Sequence, residues 1–585
     1  MRNNAMLCLK PIHYFGAGLL LSLMFGLTGC AGEDSEDSTV TADRIIQGAP
    51  VWSADLDRQD AEAVAIRGDR ILAVGTTEEI AAHKGSETKV TEVSAEGRIV
   101  PGFIDNHTHF DRAGELLLGI NLLDVADADG LQEELTAAVE RIPEDSWVLG
   151  GQWGAYEAWE HGDGQGDAAE PEDAFDPDRS VIEEVTQDVP VLLWNWDESR
   201  FLANRTALEA AGFDCETDGV ECEDGEPTGR LDEDGGKALR EEVPEKPFEQ
   251  RLAEAEKGLE RLRRNGVTTI HDNTPSEQLR VFQELQRKDR LTTRVYARPT
   301  LDNWEELETL GIEHGFGNDK LKIGGLKGFV DGIMGNSTAR FYEPYEHIDD
   351  RGQWRDMMDP PEKMQQMMIE ADAAGHWLQI HAIGDEAIDT LLDKYEKVLE
   401  DNGESDDRRM RVIHAQVLRD AEVAERMASM DLIAEVQPFH AIDDMRWMEE
   451  RIGDRARWAY AFDTLDEAGV PLSFGSDWPG TNASWYPSNP LKGVYAAVTR
   501  KTLEGEPDGG WYPEERVDVE TAMEAYTANN AYAAGEEDHK GRLEPGMLAD
   551  VVVLDRDPFA VDKTELRDIR PLLTIMGGQV VYEAD

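Results

Sequence analysis

Four apolar runs in this chain end on a side chain able to bind a metal ion. Ile104-Asp105-Asn106-His107-Thr108-His109 closes the first, and Trp377-Leu378-Gln379-Ile380-His381 and Arg411-Val412-Ile413-His414 form the second and third. Leu472-Ser473-Phe474-Gly475-Ser476-Asp477 is the fourth. On a strand, residues i and i+2 face the same side, so His107 and His109 aim at one spot. Barrel enzymes assemble their sites at such C-terminal strand ends. The chain has only 13 histidines. Any one of them alone would read as a hydrogen-bonded core residue. Four imidazoles and a carboxylate at strand ends, in this order, suit one or two divalent ions, with zinc the best match.

Apolar, β-branched runs recur through the middle of the chain, at residues 99–104, 147–151, 189–196, 267–271, 294–298, 321–330, 377–381, 411–414, 432–436 and 471–476. Polar helical stretches at 361–374, 386–400 and 420–429 separate several of them. This alternation predicts a parallel α/β architecture. An eightfold barrel needs only eight strands, so some runs belong to an excursion between roughly residues 150 and 250. That stretch also holds an acidic loop at 157–178. Strand-like runs at both ends of the chain predict one small β domain built from residues 44–98 and 536–585, with the catalytic domain, residues 99–535, inserted between them.

The first 29 residues read as a targeting segment, with Arg2 and Lys10 before an apolar run at 15–27 that is too short to span a bilayer comfortably. Leu27-Thr28-Gly29-Cys30 resembles the bacterial lipoprotein box, which makes Cys30 the lipidated first residue of an exported chain. A plain signal peptide or simple anchor is the alternative. Residues 30–43 read as an acidic tether. The expected location is outside the cytoplasmic membrane, with membrane contact through the lipid only. Cys215 and Cys222 remain in the mature chain, and an oxidising compartment would permit a disulfide between them.

Charge excludes one class of partner. Lys and Arg number 57 against 122 Asp and Glu, a net charge of −65, and nucleic acid would be repelled. The acid is spread along the chain, which favours adaptation to a saline medium over a dedicated cation-binding surface.

Lys327 stands inside the apolar segment Gly325-Leu326-Lys327-Gly328-Phe329-Val330-Asp331-Gly332. Burial would lower its pKa and leave a neutral amine able to add CO2 as a carbamate. The competing reading is a buried lysine paired with Asp331 or another acid.

Taken together, these segments resemble the amidohydrolase superfamily and, within it, amidohydrolase family 3. The resemblance runs from about Ala42 to the C-terminus. It rests on Pro101-Gly102-Phe103-Ile104-Asp105-Asn106-His107-Thr108-His109, the Lys327 segment, His381-Ala382-Ile383-Gly384-Asp385, Val412-Ile413-His414-Ala415-Gln416 and Gly475-Ser476-Asp477-Trp478-Pro479. Gly266 to Asp272, Thr338-Ala339 and Gly541 to Asp550 add further matches. The resemblance implies a distorted (β/α)8 TIM-type barrel with a small β-sandwich built from both termini. It implies His107 and His109 on one metal, His381 and His414 on the other, a carboxylated Lys327 between them, and Asp477 at the reacting water. One departure stands out: the family's Gly-His pair ahead of an Asn-x-x-Ala-Leu segment is replaced by Asp197-Glu198-Ser199-Arg200 before Asn204. The substrate contacts usual for that stretch are therefore in doubt.

The expected reaction is hydrolysis of a non-peptide carbon–nitrogen bond in a small molecule, an amide, formamide or cyclic amide, with Asp477 as the proton carrier. Esters or lactones would yield to the same chemistry, and a metal-binding lipoprotein without turnover is the reading from another class. Trp153, His440 and Trp478 stand near strand ends and would line a substrate pocket, or equally serve as rim packing. No oligomeric state is legible.

Overall fold

The run at residues 99–104 is not one strand. Gly102 breaks it into Arg98–Pro101 and Phe103–Thr108, and these have different partners. Arg98–Pro101 pairs antiparallel with Val551–Leu554, whereas Phe103–Thr108 pairs parallel with Val267–Asn273. A Cβ at position 102 would lie 2.2 Å from Thr268 Oγ1, so the crossing requires glycine. The computed structural model describes residues 40–54, 60–122, 125, 127–143, 146–153, 175–186, 188–195, 198–403, 405, 408–480 and 485–584. The targeting segment, Cys30, nearly all of the tether and most of the acidic loop at 157–178 lie outside the described residues.

Both chain ends supply strands to two four-stranded sheets. One runs Arg70–Gly75, Ala63–Arg67, Arg44–Gln47, Lys89–Glu92; the other runs Gln579–Glu583, Pro571–Met576, Val551–Leu554, Arg98–Pro101. A single apolar cluster draws on both, including Ile46, Val64 and Ile66 from the first and Ile99, Val551 and Ile575 from the second. Each such aliphatic side chain stabilises by roughly 1.5–3 kcal/mol when fully buried.

The parallel strands form two arcs. The first contains Phe103–Thr108, Val267–Asn273, Arg294–Arg298 and Leu321–Ile323. The second contains Leu326–Phe329, Leu378–Ala382, Arg411–His414, Ile433–Val436 and Leu472–Phe474. Isolated parallel bridges, Thr300 with Lys327 and Thr108 with Trp478, connect the arcs. At the same places Lys327 N donates to Pro299 O at 2.8 Å and Asp477 N donates to His107 O at 2.9 Å. Among the described residues the strand ladder is therefore α/β and parallel, but not one unbroken ring.

The run at 321–330 is also divided, at Gly324-Gly325, because a Cβ on Gly324 would fall 2.1 Å from the Tyr296 ring. Helices Pro361–Ala373, Asp385–Asn402 and Ala421–Ser429 follow three of the second-arc strands, near the positions the sequence pattern predicts. Asp385–Asn402 buries Ile388, Leu391, Leu392, Tyr395 and Val398, a stripe at helical spacing that covers the sheet. Asp420 caps Ala421–Ser429 by accepting from Glu422 N.

The runs at 147–151 and 189–196 leave the parallel arcs. They become Val148–Trp153 and Val191–Asn195 of a six-stranded mixed sheet that also holds Ile120–Asn121, Arg200–Ala203, Val220–Glu223 and Glu226–Asp232. Cys215 and Cys222 are joined by a disulfide at its margin. Among the described residues no helix is long and apolar enough to cross a membrane.

Candidate metal centre

His107 lies in Phe103–Thr108 and His414 ends Arg411–His414. Asp477 follows Leu472–Phe474 by three residues. Their donor atoms lie within 4.8 Å of one another. His414 and Asp477 both hold left-handed backbone, at φ 72° and 54°. For residues other than glycine this conformation is costly and clusters at functional sites. The turn carrying Asp477 is pinned by Asp105, which accepts from Ser476 N at 2.8 Å and from Ser476 Oγ at 2.5 Å.

Three of the imidazoles, those of His107, His381 and His414, each have one nitrogen committed to a fixed partner. His107 Nδ1 donates to Glu435 Oε1 at 2.8 Å. His414 Nδ1 donates to Gln437 Oε1 at 2.7 Å, and His381 Nε2 donates to Gly332 O at 2.9 Å. The other nitrogen of each ring is thereby left as a lone-pair donor, the arrangement that orients histidine ligands around metals.

Asp477 is the hub. Its Oδ1 lies 3.4 Å from His107 Nε2 and 3.2 Å from His109 Nε2, and its Oδ2 lies 3.4 Å from His440 Nε2. The rings of His381 and His414 are 4.6 Å apart. His381 therefore borders the trio without joining it. His109 is the solvent-facing member, its side chain 36% exposed, whereas that of His107 is fully buried.

The electrostatics suit a cation. Burial, reinforced by Lys327, pushes His107 down to about 3, and burial holds His414 well below its usual range, so both rings are neutral. Burial opposes ionisation of Asp477, but His107, His109 and His440 outweigh it and hold the carboxyl well below the usual carboxylate range. Asp477 Oδ1 is nonetheless buried without a hydrogen-bond partner among the described residues. A buried anionic oxygen 3.4 Å from the neutral His107 ring and 3.2 Å from His109 Nε2 fits a divalent ion.

Lys327 is buried, and burial together with Arg298 pushes its amine down to about 7. No carboxylate lies within ion-pair distance of its Nζ among the described residues. Asp331 instead accepts from the backbone N–H groups of Ile383, Gly384 and Arg340.

His440 packs on Tyr486, ring centroids 4.5 Å apart, and touches Asp477. Trp478 is fully buried against Phe110 and Trp485. Trp153 sits in the apolar cluster of the six-stranded sheet with Ile120 and Leu131. Both tryptophans thus have packing roles in view. Asn204 is structural: its Oδ1 accepts from Val191 N and Ala207 N, capping a helix.

Five residues at the site escape sequence reasoning. Glu435 binds His107 and is itself held by Arg298 Nη1 at 2.7 Å and Arg411 Nη1 at 2.8 Å. Gln437 orients His414, and Asn273 touches both His107 and His109. One signal was present: Glu435, Arg298 and Arg411 are charges inside or at the end of apolar runs, like Lys327.

The model of the amidohydrolase family, family 3, matches residues 91–582. Protein LONG AFTER FAR-RED 3 of Arabidopsis thaliana is 32% identical, over 93% of this chain and 92% of its own. N-substituted formamide deformylase of Arthrobacter pascens is 25% identical, over 93% of this chain and 99% of its own. The crystal structure of an uncharacterized metal-dependent hydrolase from Pyrococcus horikoshii OT3 shares the fold, with a TM-score of 0.69 at 24% identity, covering 89% of this chain and 99% of that one. This chain belongs to amidohydrolase family 3.

Proposed function

We propose that the chain hydrolyses a non-peptide carbon–nitrogen bond of a small molecule, an amide, a formamide or a cyclic amide. The observation that carries this reading is the buried Asp477 Oδ1, held ionised between imidazoles and, among the described residues, without a hydrogen-bond partner. The likeness to an N-substituted formamide deformylase supports the bond type.

In this reading His107, His109 and Asp477 would hold one divalent ion, and His381 and His414 a second, with Lys327, as a carbamate, a further ligand. An ion so held would supply Lewis-acid polarisation of a carbonyl and would acidify water. Asp477 takes a proton from the attacking water and delivers it to the leaving nitrogen, so that amide and water become acid and amine. His440, 3.4 Å from Oδ2, steadies that carboxylate. Glu435 and Gln437 keep His107 and His414 in the tautomer that offers Nε2 inward. Carbamate formation at Lys327 joins its neutral amine to CO2 and releases one proton. An amine lowered to about 7 is neutral in roughly half of the molecules at neutral pH, against very few for an ordinary lysine. The location follows the sequence reading: an exported chain anchored by lipid at Cys30.

The test is a panel of N-substituted formamides, linear and cyclic amides, esters and lactones, assayed with added zinc. At least one carbon–nitrogen substrate should turn over, and Asp477→Asn should slow it at least a hundredfold or so while keeping its metal. Turnover of esters only, or wild-type rates in Asp477→Asn, would contradict the proposal.

A further inference from the structure

Asn273 ends the strand Val267–Asn273, and its amide sits between the imidazoles of His107 and His109. Its Nδ2 is 3.1 Å from His107 Nε2 and 3.2 Å from His109 Nε2. His107 Nε2 is an acceptor here, because His107 Nδ1 carries the proton given to Glu435. The other end of the amide has no such role: Oδ1 is buried and lacks a hydrogen-bond partner among the described residues. A buried amide oxygen left unpaired costs about 1–3 kcal/mol, so its placement needs a reason.

A cation supplies the reason. With an ion on the Nε2 lone pairs, the Nδ2–H donors would lose their acceptors and point at positive charge. Half a turn about the terminal torsion exchanges nitrogen for oxygen in nearly the same volume. Oδ1 would then face the ion, and the unpaired group would gain its partner.

The spacing agrees. The Asn273 amide and Asp477 Oδ1 each contact both imidazole nitrogens, at separations between 3.1 and 3.4 Å. Two donors each about 2.0 Å from one zinc ion and a near-tetrahedral angle apart lie about 3.3 Å from one another, and zinc can take a fifth donor, so this spacing suits a shared ion without displacing Lys327. We propose that Asn273 is a ligand, through Oδ1, of the ion held by His107 and His109. This rests on the metal-centre reading of the site and adds to it a neutral amide donor from the second strand of the first arc.

A competition titration of zinc against a chromophoric chelator tests the assignment on the full chain, with Asn273→Ala, Asn273→Asp and His107→Ala as variants. Asn273→Ala should bind zinc about tenfold more weakly or worse, a loss of the size seen when a metal site's supporting group is removed. Asn273→Asp, which keeps an oxygen at that position, should match or exceed wild type. A brace for the metal-free imidazoles would behave differently: Asn273→Ala would then bind zinc as tightly as wild type, or more tightly. That result, with His107→Ala still impaired, overturns the proposal and leaves the metal centre standing. If wild type takes up no zinc, or His107→Ala binds as well as wild type, both fail together.

Discussion

His107 Nδ1 and Glu435 Oε1 are 2.8 Å apart, and both side chains are fully buried. Glu435 also receives Arg298 and Arg411, so the His107 imidazole is anchored on a buried two-arginine, one-carboxylate cluster. Burial opposes ionisation of Glu435, and the two arginines with His107 overcome it, holding the carboxyl well below its usual range.

Removing this carboxylate should therefore act twice. Glu435→Ala leaves two guanidinium groups buried without their anion, a loss of about 3–5 kcal/mol of stability. Glu435→Gln keeps a hydrogen-bond acceptor for His107 and should fold, yet bind zinc about 10–100-fold more weakly. Denaturant melts and zinc competition on both variants check this. A Glu435→Gln chain with wild-type zinc affinity would refute the anchoring role.

The candidate ligands could be picked out in the sequence because side chains at the C-terminal ends of parallel strands converge, and apolar runs mark those ends; the structure brings the donor atoms of His107, His414 and Asp477 within 4.8 Å of one another. His107, His109, His381, His414 and Asp477 each terminate such a run. The groups that orient them were not legible. Glu435 is 328 positions from His107, and their contact depends on how strands Ile433–Val436 and Phe103–Thr108 face one another. Periodicity cannot supply that. The runs at 99–104 and 321–330 misled for a local reason: Gly102 and Gly324 let the backbone pass against Thr268 and Tyr296, which divides a continuous apolar run into strands with different partners.

A pH dependence follows from Glu254, on helix Phe248–Arg264. Burial pushes its carboxyl up to about 7 from an ordinary 4.5, although Lys246 Nζ is 3.0 Å from Oε1. The folded chain thus keeps a proton there that the unfolded chain releases above about 4.5. This contribution to stability is fully present below 4.5 and is lost as pH rises through 7. Glu254→Gln lacks the effect. The melting temperature of the variant should gain on wild type between pH 4.5 and 7 and then run parallel to it. A gap unchanged by pH would contradict the assignment.

Salt should stabilise the chain. A net charge of −65 repels itself, and screening shortens from about 10 Å at 0.1 M salt to about 3 Å at 1 M. Exposed pairs such as Arg287 with Glu284 weaken under the same screening, but each is worth about 1 kcal/mol or less. Thermal melts in sodium chloride should therefore rise from low to molar concentration. A flat or falling series would count against adaptation to a saline medium.

If His107, His109, Lys327, His381, His414 and Asp477 form a metal centre, zinc binds among them, and diffraction from zinc-loaded crystals, collected on both sides of the zinc absorption edge, will locate it. The expected result is an anomalous peak bounded by His107, His109 and Asp477, a second beside His381 and His414, and extra density on Lys327 Nζ joining them. Crystals that bind zinc only elsewhere, or not at all, would contradict the metal centre.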